Sequence, residues 1–240
     1  MNIKECYKYV NMQLCHYEPQ ANLWSINDKN HVVGSFEEHN NWIDYNYLFL
    51  DIPNLEYKKC LDFGCGPGRN LVNYHHIFKQ IDGVDLIEQN IENAKKWIEY
   101  NKLNIDSFKL YKCNGYNLEN IKDKSYDIII STICLQHICV YEIRLNYFKE
   151  FYRILSNGGL ISIQMGYGSP SPNTRPYYDN FYNADTTNRG CDVAIEDIEQ
   201  VQKDLNNIGF VDFEYFVRPT GPGDNHPNWV FFRARKKYAE

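Results

Sequence analysis

From about residue 58 the chain alternates between short apolar runs of strand length and longer segments in which apolar side chains recur every three or four residues. In one such segment Ile91, Ala94 and Ile98 fall on a single side of a helix. The apolar runs predict strands at 58–63, 81–85, 108–112, 126–131 and 160–165, and the periodic segments predict helices at 70–78, 88–100 and 141–155. This alternation is typical of a parallel sheet with helices on both faces.

The pattern changes after residue 165. The segment 166–192 is rich in Pro, Gly and Asn and is too long for a simple connector, whereas its aromatic side chains argue against full disorder. A helix at 195–207 ended by Gly209 and an antiparallel strand pair at 211–217 and 229–235 follow. We therefore predict a single domain with four parts: an N-terminal cap segment at 1–55, a core at 56–165, a lid at 166–194 and a last helix with a strand pair at 195–240.

Composition narrows the class of partner. The formal net charge of −6 disfavours nucleic acid, whose binding requires neutralised phosphates, and the apolar runs are far too short to cross a membrane.

One further boundary and the cysteines complete the expectations from composition and local pattern. Asn157-Gly158-Gly159 is expected to end the helix that precedes the fifth strand. The eight cysteines form no CxxC pair and lack the histidine spacing of a zinc site, so we expect reduced thiols, no metal and a soluble cytoplasmic protein.

The first predicted strand leads into a turn with glycine at positions 64, 66 and 68. Glycines there let the backbone approach a ligand without a Cβ in the way. Asp85 ends the second strand, where an acid can accept both ribose hydroxyls of an adenosine. A dinucleotide oxidoreductase would share this acid, but its G-x-G-x-x-G turn needs glycine where this chain has Arg69.

The segment DFGCGPGRN at 62–70 resembles motif I of class I S-adenosylmethionine-dependent methyltransferases. The similarity continues through GVD at 83–85, YDIIISTICLQHI at 126–138 and YRILSNGGLISI at 152–163, and so covers about 58–165 in order. The resemblance implies an α/β, Rossmann-like fold: a mostly parallel seven-stranded sheet with helices on both faces and an antiparallel last strand. It also implies S-adenosylmethionine as cofactor and S-adenosylhomocysteine as product.

The resemblance assigns cofactor roles by position. The methionine end of the cofactor would be held by Asp62 and the glycine turn, with Gly64, Cys65, Gly66 and Gly68. Asp85 would bind the ribose and Leu86 would lie against the adenine. Where the family often has an acid for the adenine amine, this chain has Asn114, followed by Gly115, and the asparagine can still offer its amide oxygen to the adenine, though no charge. Ser131 and Thr132 would border the sulfonium.

His137 follows the fourth strand, where some related O-methyltransferases have a histidine as general base. Its alternative role is to shape the cofactor pocket without taking part in catalysis. Residues that could contact the acceptor are Gln136, Gln164, Tyr167, His39, Trp42 and Arg175.

These observations predict an S-adenosylmethionine-dependent methyltransferase that acts on oxygen of a small polar metabolite, with a sugar or nucleotide sugar as the first expectation. N-methylation of a small amine is the main alternative. An NAD-dependent oxidoreductase and a non-catalytic cofactor-binding subunit are further alternatives. The sequence leaves the oligomeric state open.

Overall fold

The computed structural model describes residues 2–23, 47–49, 51–169, 174–182, 192–221 and 223–238. Within these ranges one sheet has seven strands, namely β1 (Lys59–Phe63), β2 (Gln80–Asp85), β3 (Leu110–Lys112), β4 (Tyr126–Ser131), β5 (Leu155–Tyr167), β8 (Phe210–Pro219) and β9 (Asn228–Lys236). Their order across the sheet is β3-β2-β1-β4-β5-β9-β8. β1 to β5 are parallel, and β9 is antiparallel to both β5 and β8. The predicted Rossmann-like fold class is therefore confirmed.

Helices cover both faces of this sheet because successive side chains of a strand point to opposite sides. Leu61 and Phe63 of β1 belong to a large apolar cluster on one face, whereas Cys60 belongs to a second cluster on the other. The first face is covered by α4 (Tyr141–Ile154) and α5 (Ile198–Ile208), and the second by α2 (Arg69–Tyr74) and α3 (Glu88–Tyr100). Between these two faces lie the carboxyl ends of the parallel strands, where ligands bind in sheets of this kind.

The prediction for Asn157-Gly158-Gly159 was wrong in one respect. α4 already ends at Ile154, and these residues lie inside β5. Tyr126 of β4 pairs with Leu155 of β5, and the next pair is Ile128 with Leu160. Over this stretch β4 advances by two residues and β5 by five, so β5 bulges. Gly158 supports the bulge with a φ of 73°.

Two helices differ from their predicted bounds for local reasons. α2 ends at Tyr74 instead of residue 78, because the chain turns there and buries Phe78 in the second cluster. α5 begins at Ile198 instead of residue 195, because Asp197 caps it through a hydrogen bond from the Glu199 N–H.

The described parts of the predicted lid are anchored to the rest of the chain. β6 (Thr174–Pro176) and β7 (Asp192–Ala194) form a parallel pair, and Ile195 bridges to Tyr167 at the end of β5. Tyr177 is fully buried, and its hydroxyl donates to Asp204. The lid role and the four-part division remain predictions.

The first helix, α1 (Ile3–Leu23), packs against the loops that follow β3 and β4. Its Cys6 and Tyr9 join the first apolar cluster, and the Tyr9 hydroxyl accepts a hydrogen bond from the Cys139 N–H at 2.7 Å. Of the acceptor contacts predicted in the N-terminal segment, His39 and Trp42 lie outside the described residues.

Candidate active site

The glycine turn (64–68) joins β1 to α2 and is tied to the neighbouring strand. The N–H groups of Gly64 and Cys65 donate to Val84 O at 2.8 and 3.0 Å. Gly64 has a φ of 75°, and a Cβ there would lie 2.2 Å from Cys134 Sγ, so no other residue fits. The Gly66 N–H donates to Asp85 Oδ2, and the Gly68 N–H donates to Cys65 O. The glycine turn predicted to hold the cofactor therefore has these four N–H groups in hydrogen bonds within the protein in this structure.

Asp62, next to this turn, is a buried acid without a donor. Only 1% of the residue is exposed, and within the described part of the chain neither carboxylate oxygen accepts a hydrogen bond. Burial raises the pKa of Asp62 to about 7; the nearby Asn70 amide opposes the rise and the charge of Asp85 adds to it. A buried carboxylate in this state fits a cationic group. The ammonium of S-adenosylmethionine is such a group, so the residues present fit the predicted cofactor.

Asp85 is buried at the end of β2 and is held by its surroundings. Its Oδ1 accepts from the Ile87 N–H at 2.8 Å and from Asn90 Nδ2 at 3.1 Å, and its Oδ2 accepts from the Gly66 N–H at 2.9 Å. Burial raises the pKa of Asp85, and these hydrogen bonds oppose the rise. A carboxylate has about four acceptor positions. The three hydrogen bonds leave one such position, on Oδ2, so two ribose hydroxyls would compete for it with each other or with the Gly66 N–H.

The structure does not support the expected role of Asn114 through its amide oxygen. Oδ1 already accepts from the N–H groups of Tyr116 and Asn117 at 3.1 and 2.9 Å, as in an Asx turn. Gly115 has a φ of 88° and lies against Val10 of α1. Leu86, half-buried, packs against the first apolar cluster. Recognition of adenine at this loop stays a prediction, and it would need other atoms than Asn114 Oδ1.

Polar residues after β4 and at the end of β5 are buried and mostly have structural partners. Ser131 donates through Oγ to Phe63 O at 3.0 Å and so joins β4 to the end of β1, and Thr132 beside it is also buried. Gln136 accepts through Oε1 from the Gly166 N–H at 3.0 Å. Gln164 is buried, and its Nε2 has no hydrogen-bond partner among the described residues.

His137 lies in a 3₁₀ turn (Leu135–His137) after β4 and contacts a carboxylate from a distant part of the chain. Its Nδ1 is 2.6 Å from Asp192 Oδ1, at the start of β7. Burial alone would raise the pKa of Asp192, but hydrogen bonding from His137 and the nearby His226 ring together outweigh it and hold that pKa well below its ordinary value. The His137 side chain keeps about a third of its surface exposed. It can therefore meet an acceptor while Asp192 fixes the orientation of its ring.

The turn between β8 and β9 brings two more side chains to Asp192. Asn225 Nδ2 donates to Asp192 Oδ2 at 3.3 Å, and His226 Nε2 lies 3.5 Å from the same oxygen. We call His137, Asp192 and His226 the His–Asp–His cluster. The sequence alone predicted no site role for Asp192 or His226, because these residues share no motif or spacing with His137.

The remaining residues around the cluster come from α1, β5 and the predicted lid. The Tyr17 ring lies 6.0 Å from the His137 ring, and Tyr167 is half-buried against the first cluster. Arg175 stacks on Phe181 with its guanidinium carbon 3.8 Å from the ring centroid, and it lies 4.0 Å from Asp179. Its charge is thus engaged within its own segment, which weakens the expectation that it binds the acceptor.

A buried arginine joins the His137 loop to the predicted lid. Arg144 of α4 donates to Ile138 O and to Tyr177 O.

Over the ranges that the structure covers, no group of His, Cys, Asp or Glu has the arrangement of a metal site, and no helix is both long and apolar enough to span a membrane.

Fold and site together define a Rossmann-like cofactor-binding protein. Residues 61–163 match the family described as the methyltransferase domain. This segment, 103 of the 240 residues, forms a methyltransferase domain of the class I S-adenosylmethionine-dependent type, for which S-adenosylmethionine is the cofactor.

Three relatives show how far this similarity extends. An uncharacterized protein of Haemophilus influenzae is 31% identical over 114 residues, which is 47% of this chain and 44% of that protein. The ubiquinone biosynthesis O-methyltransferase of Pelagibacter ubique is 26% identical over 92% of this chain and 80% of the relative. The structure of Haemonchus contortus phosphoethanolamine N-methyltransferase 2, bound to phosphomonomethylethanolamine and S-adenosylhomocysteine, aligns with a TM-score of 0.62 at 20% identity over 82% of this chain. The chain spans 53% of that enzyme, so it covers about half the length of two of these three proteins.

Proposed function

We propose that this protein methylates a hydroxyl oxygen of a small molecule, with His137 as the general base. The 2.6 Å contact between His137 Nδ1 and Asp192 Oδ1 carries the proposal. When Nδ1 donates its hydrogen to the carboxylate, the Nε2 of a neutral imidazole is left as an acceptor. A base oriented in this way is what a hydroxyl acceptor needs, because the un-ionised oxygen is a weak nucleophile.

Each part of the site has a distinct task in this reaction. S-adenosylmethionine supplies a methyl carbon on a positively charged sulfur, which leaves as a neutral thioether. His137 Nε2 takes the hydroxyl proton as the new oxygen–carbon bond forms, and Asp192 stabilises the resulting imidazolium. Asp62 and Asp85 hold the methionine and ribose ends of the cofactor and so align the methyl group with the acceptor.

The relatives carry names that refer to different acceptor atoms. The Pelagibacter relative is named an O-methyltransferase and matches nearly the whole of this chain, which favours oxygen. The Haemonchus enzyme is named an N-methyltransferase, and at 20% identity it informs the fold alone. Within O-methylation, a sugar or nucleotide sugar remains the first candidate acceptor, and N-methylation of a small amine remains the alternative.

The test is a screen of acceptors with labelled S-adenosylmethionine, in which sugars, nucleotide sugars, phenols and amines compete under the same conditions. We expect methyl transfer to a hydroxyl compound, with a rate that falls at low pH as an imidazole base protonates. Exclusive methylation of amines by both the wild type and His137→Gln would overturn the proposal. Titration with S-adenosylhomocysteine and NADH separately tests the oxidoreductase alternative.

A further inference from the structure

His226 is the most deeply buried histidine around the proposed base. Only 1% of its surface is exposed, and within the described chain neither ring nitrogen has a hydrogen bond of good geometry. Its nearest charged group is Asp192, whose Oδ2 lies 3.5 Å from His226 Nε2. Burying an imidazole without a close donor or acceptor costs stability, so the position of this ring calls for an explanation.

The surrounding chain holds this ring in one place. The His226 N–H donates to Asp224 Oδ1 at 3.1 Å, and its carbonyl accepts from the Thr220 hydroxyl, so the backbone is fixed on both sides. The ring lies flat on Gly166, where a Cβ would come within 2.1 Å of His226 Nδ1. The absence of a side chain at position 166 thus makes room for the imidazole beside the end of β5.

We propose that His226 is a positioning residue for His137 and acts through the carboxylate that the two histidines share. The inference rests on the proposed function, since it assigns His226 to the base of that reaction. One carboxylate oxygen of Asp192 faces His137 at 2.6 Å and the other faces His226 at 3.5 Å. An N–H on His226 Nε2 draws negative charge from Asp192 and leaves less of it to stabilise a protonated His137.

The groups that face the two rings define what else acts on them. His137 is approached by His16 and Tyr17 of α1 in addition to Asp192. His226 is approached by Asp192, by the Trp229 ring at 5.5 Å and by Asp224 of its own turn, which is used on the backbone. Burial, and then the nearby His137, lower the pKa of His16, so near neutral pH it adds no positive charge beside the base. Asp192 is therefore the main path by which His226 can influence His137.

The experiment compares three substitutions at one position. His226→Phe and His226→Leu remove the ring nitrogens while filling the space against Gly166, whereas His226→Gln restores an amide donor near the position of Nε2. His76→Asn, on an exposed histidine of the turn after α2, is the matched control. The readouts are the titration of the His137 ring by NMR in cofactor-free protein, the pH profile of kcat, the KM for S-adenosylmethionine, and thermal unfolding to verify the fold.

We expect the Phe and Leu variants to move the titration midpoint of the His137 ring, and the acid limb of kcat, to higher pH by about half a unit or more. The Gln and His76→Asn variants should stay close to the wild type, and KM for the cofactor should not change. An unmoved His137 titration in a folded Phe or Leu variant would overturn the proposal, as would a Gln variant that shifts as far as they do. The NMR titration does not depend on turnover. The coupling of the two histidines can therefore be supported even if His137→Gln retains full activity and the proposed base is wrong.

Discussion

The proposed cofactor side and the proposed acceptor side of the site each centre on a buried aspartate, and the two aspartates are in opposite electrostatic states. Asp62 has no hydrogen-bond donor in the described structure, and burial raises its pKa to about 7. Asp192 contacts two histidines and an asparagine, and its pKa lies well below the ordinary value. Asp62 on the proposed cofactor side therefore lacks a cationic partner, which the bound cofactor would supply. Asp192 on the proposed acceptor side already has its partners within the protein.

The two sides also differ in how the chain builds them. Asp62, the glycine turn and Asp85 come from two consecutive strands and the turn between them. The His–Asp–His cluster joins three separate segments, and 55 residues separate His137 from Asp192. If the comparison is right, substitutions on the acceptor side should change turnover and those on the cofactor side should change affinity or stability.

The largest effect is expected for His137→Gln. The variant keeps a hydrogen-bonding side chain but cannot take a proton near neutral pH, so kcat should fall by about 10² or more. The dissociation constant for S-adenosylmethionine, measured by calorimetry, should change little. A variant that loses cofactor binding instead would show that His137 belongs to the cofactor pocket, and normal turnover would remove it from catalysis.

Asp192→Asn should lower kcat by about 10–100-fold, because the ring of His137 loses the carboxylate that orients it and stabilises its charge. The acid limb of the pH–rate profile should move to lower pH, since an imidazolium without an adjacent carboxylate gives up its proton more readily. Steady-state rates measured between pH 5 and 9 test both effects. An unmoved acid limb would show that Asp192 has no influence on the base.

The same contrast explains what could be predicted from the sequence. The sheet, its helices and the position of Asp85 at the end of β2 follow from periodicity and from motifs within short stretches of chain, and the observed mostly parallel seven-stranded sheet with an antiparallel last strand agrees with the expectation. Asn157-Gly158-Gly159 misled because glycines that end helices also permit bulges within strands, and only the pairing of β4 with β5 distinguishes the two.

The acceptor side could not be predicted in the same way. Asp192 and His226 acquire their roles only when β7 and the β8–β9 turn pack against the end of β5, and no local pattern records that contact. The role expected for the Asn114 oxygen stays a prediction, and the local structure makes it less favourable for a different reason. An asparagine before glycine readily bonds its own loop, and here the N–H groups of Tyr116 and Asn117 use both acceptor positions of its oxygen.

Asp85→Ala should raise the dissociation constant for S-adenosylmethionine by about tenfold or more, since each lost hydrogen bond to the charged carboxylate contributes roughly 1.5–3 kcal/mol. Alanine also leaves the N–H groups of Gly66 and Ile87 without their acceptor. Asp85→Asn, which keeps an acceptor oxygen for the turn, separates the loss of charge from damage to the turn. Unchanged affinity in both variants would exclude the ribose contact.

The last effect is on stability, not on turnover or affinity, and it is expected for Asp62→Asn in the cofactor-free protein. The folded pKa of Asp62 is about 7, above the ordinary value near 3.9 in an unfolded chain. Between these values the folded protein binds more protons than the unfolded one, so the contribution of this group to stability is fully present below about pH 4 and is lost as the pH rises through 7. The loss amounts to about 1.4 kcal/mol for each pH unit in that window. The variant has an uncharged amide in place of the carboxyl group and therefore does not undergo this loss.

Thermal unfolding of the wild type and Asp62→Asn at several pH values between 4 and 8 measures this difference. The two melting temperatures should be similar near pH 4. At pH 7.5 the variant should be the more stable by roughly 8–16 °C, since the loss sums to about 4 kcal/mol over the window and 1 kcal/mol corresponds to roughly 2–4 °C for a chain of this size. Asp106→Asn, on an exposed turn, controls for the loss of a carboxylate. Saturating S-adenosylmethionine should reverse the order, because its ammonium stabilises the ionised Asp62 of the wild type and finds no charge in the variant. A difference in melting temperature that is independent of pH would mean that Asp62 is not titrating in this range, and the contrast between the two aspartates would fail.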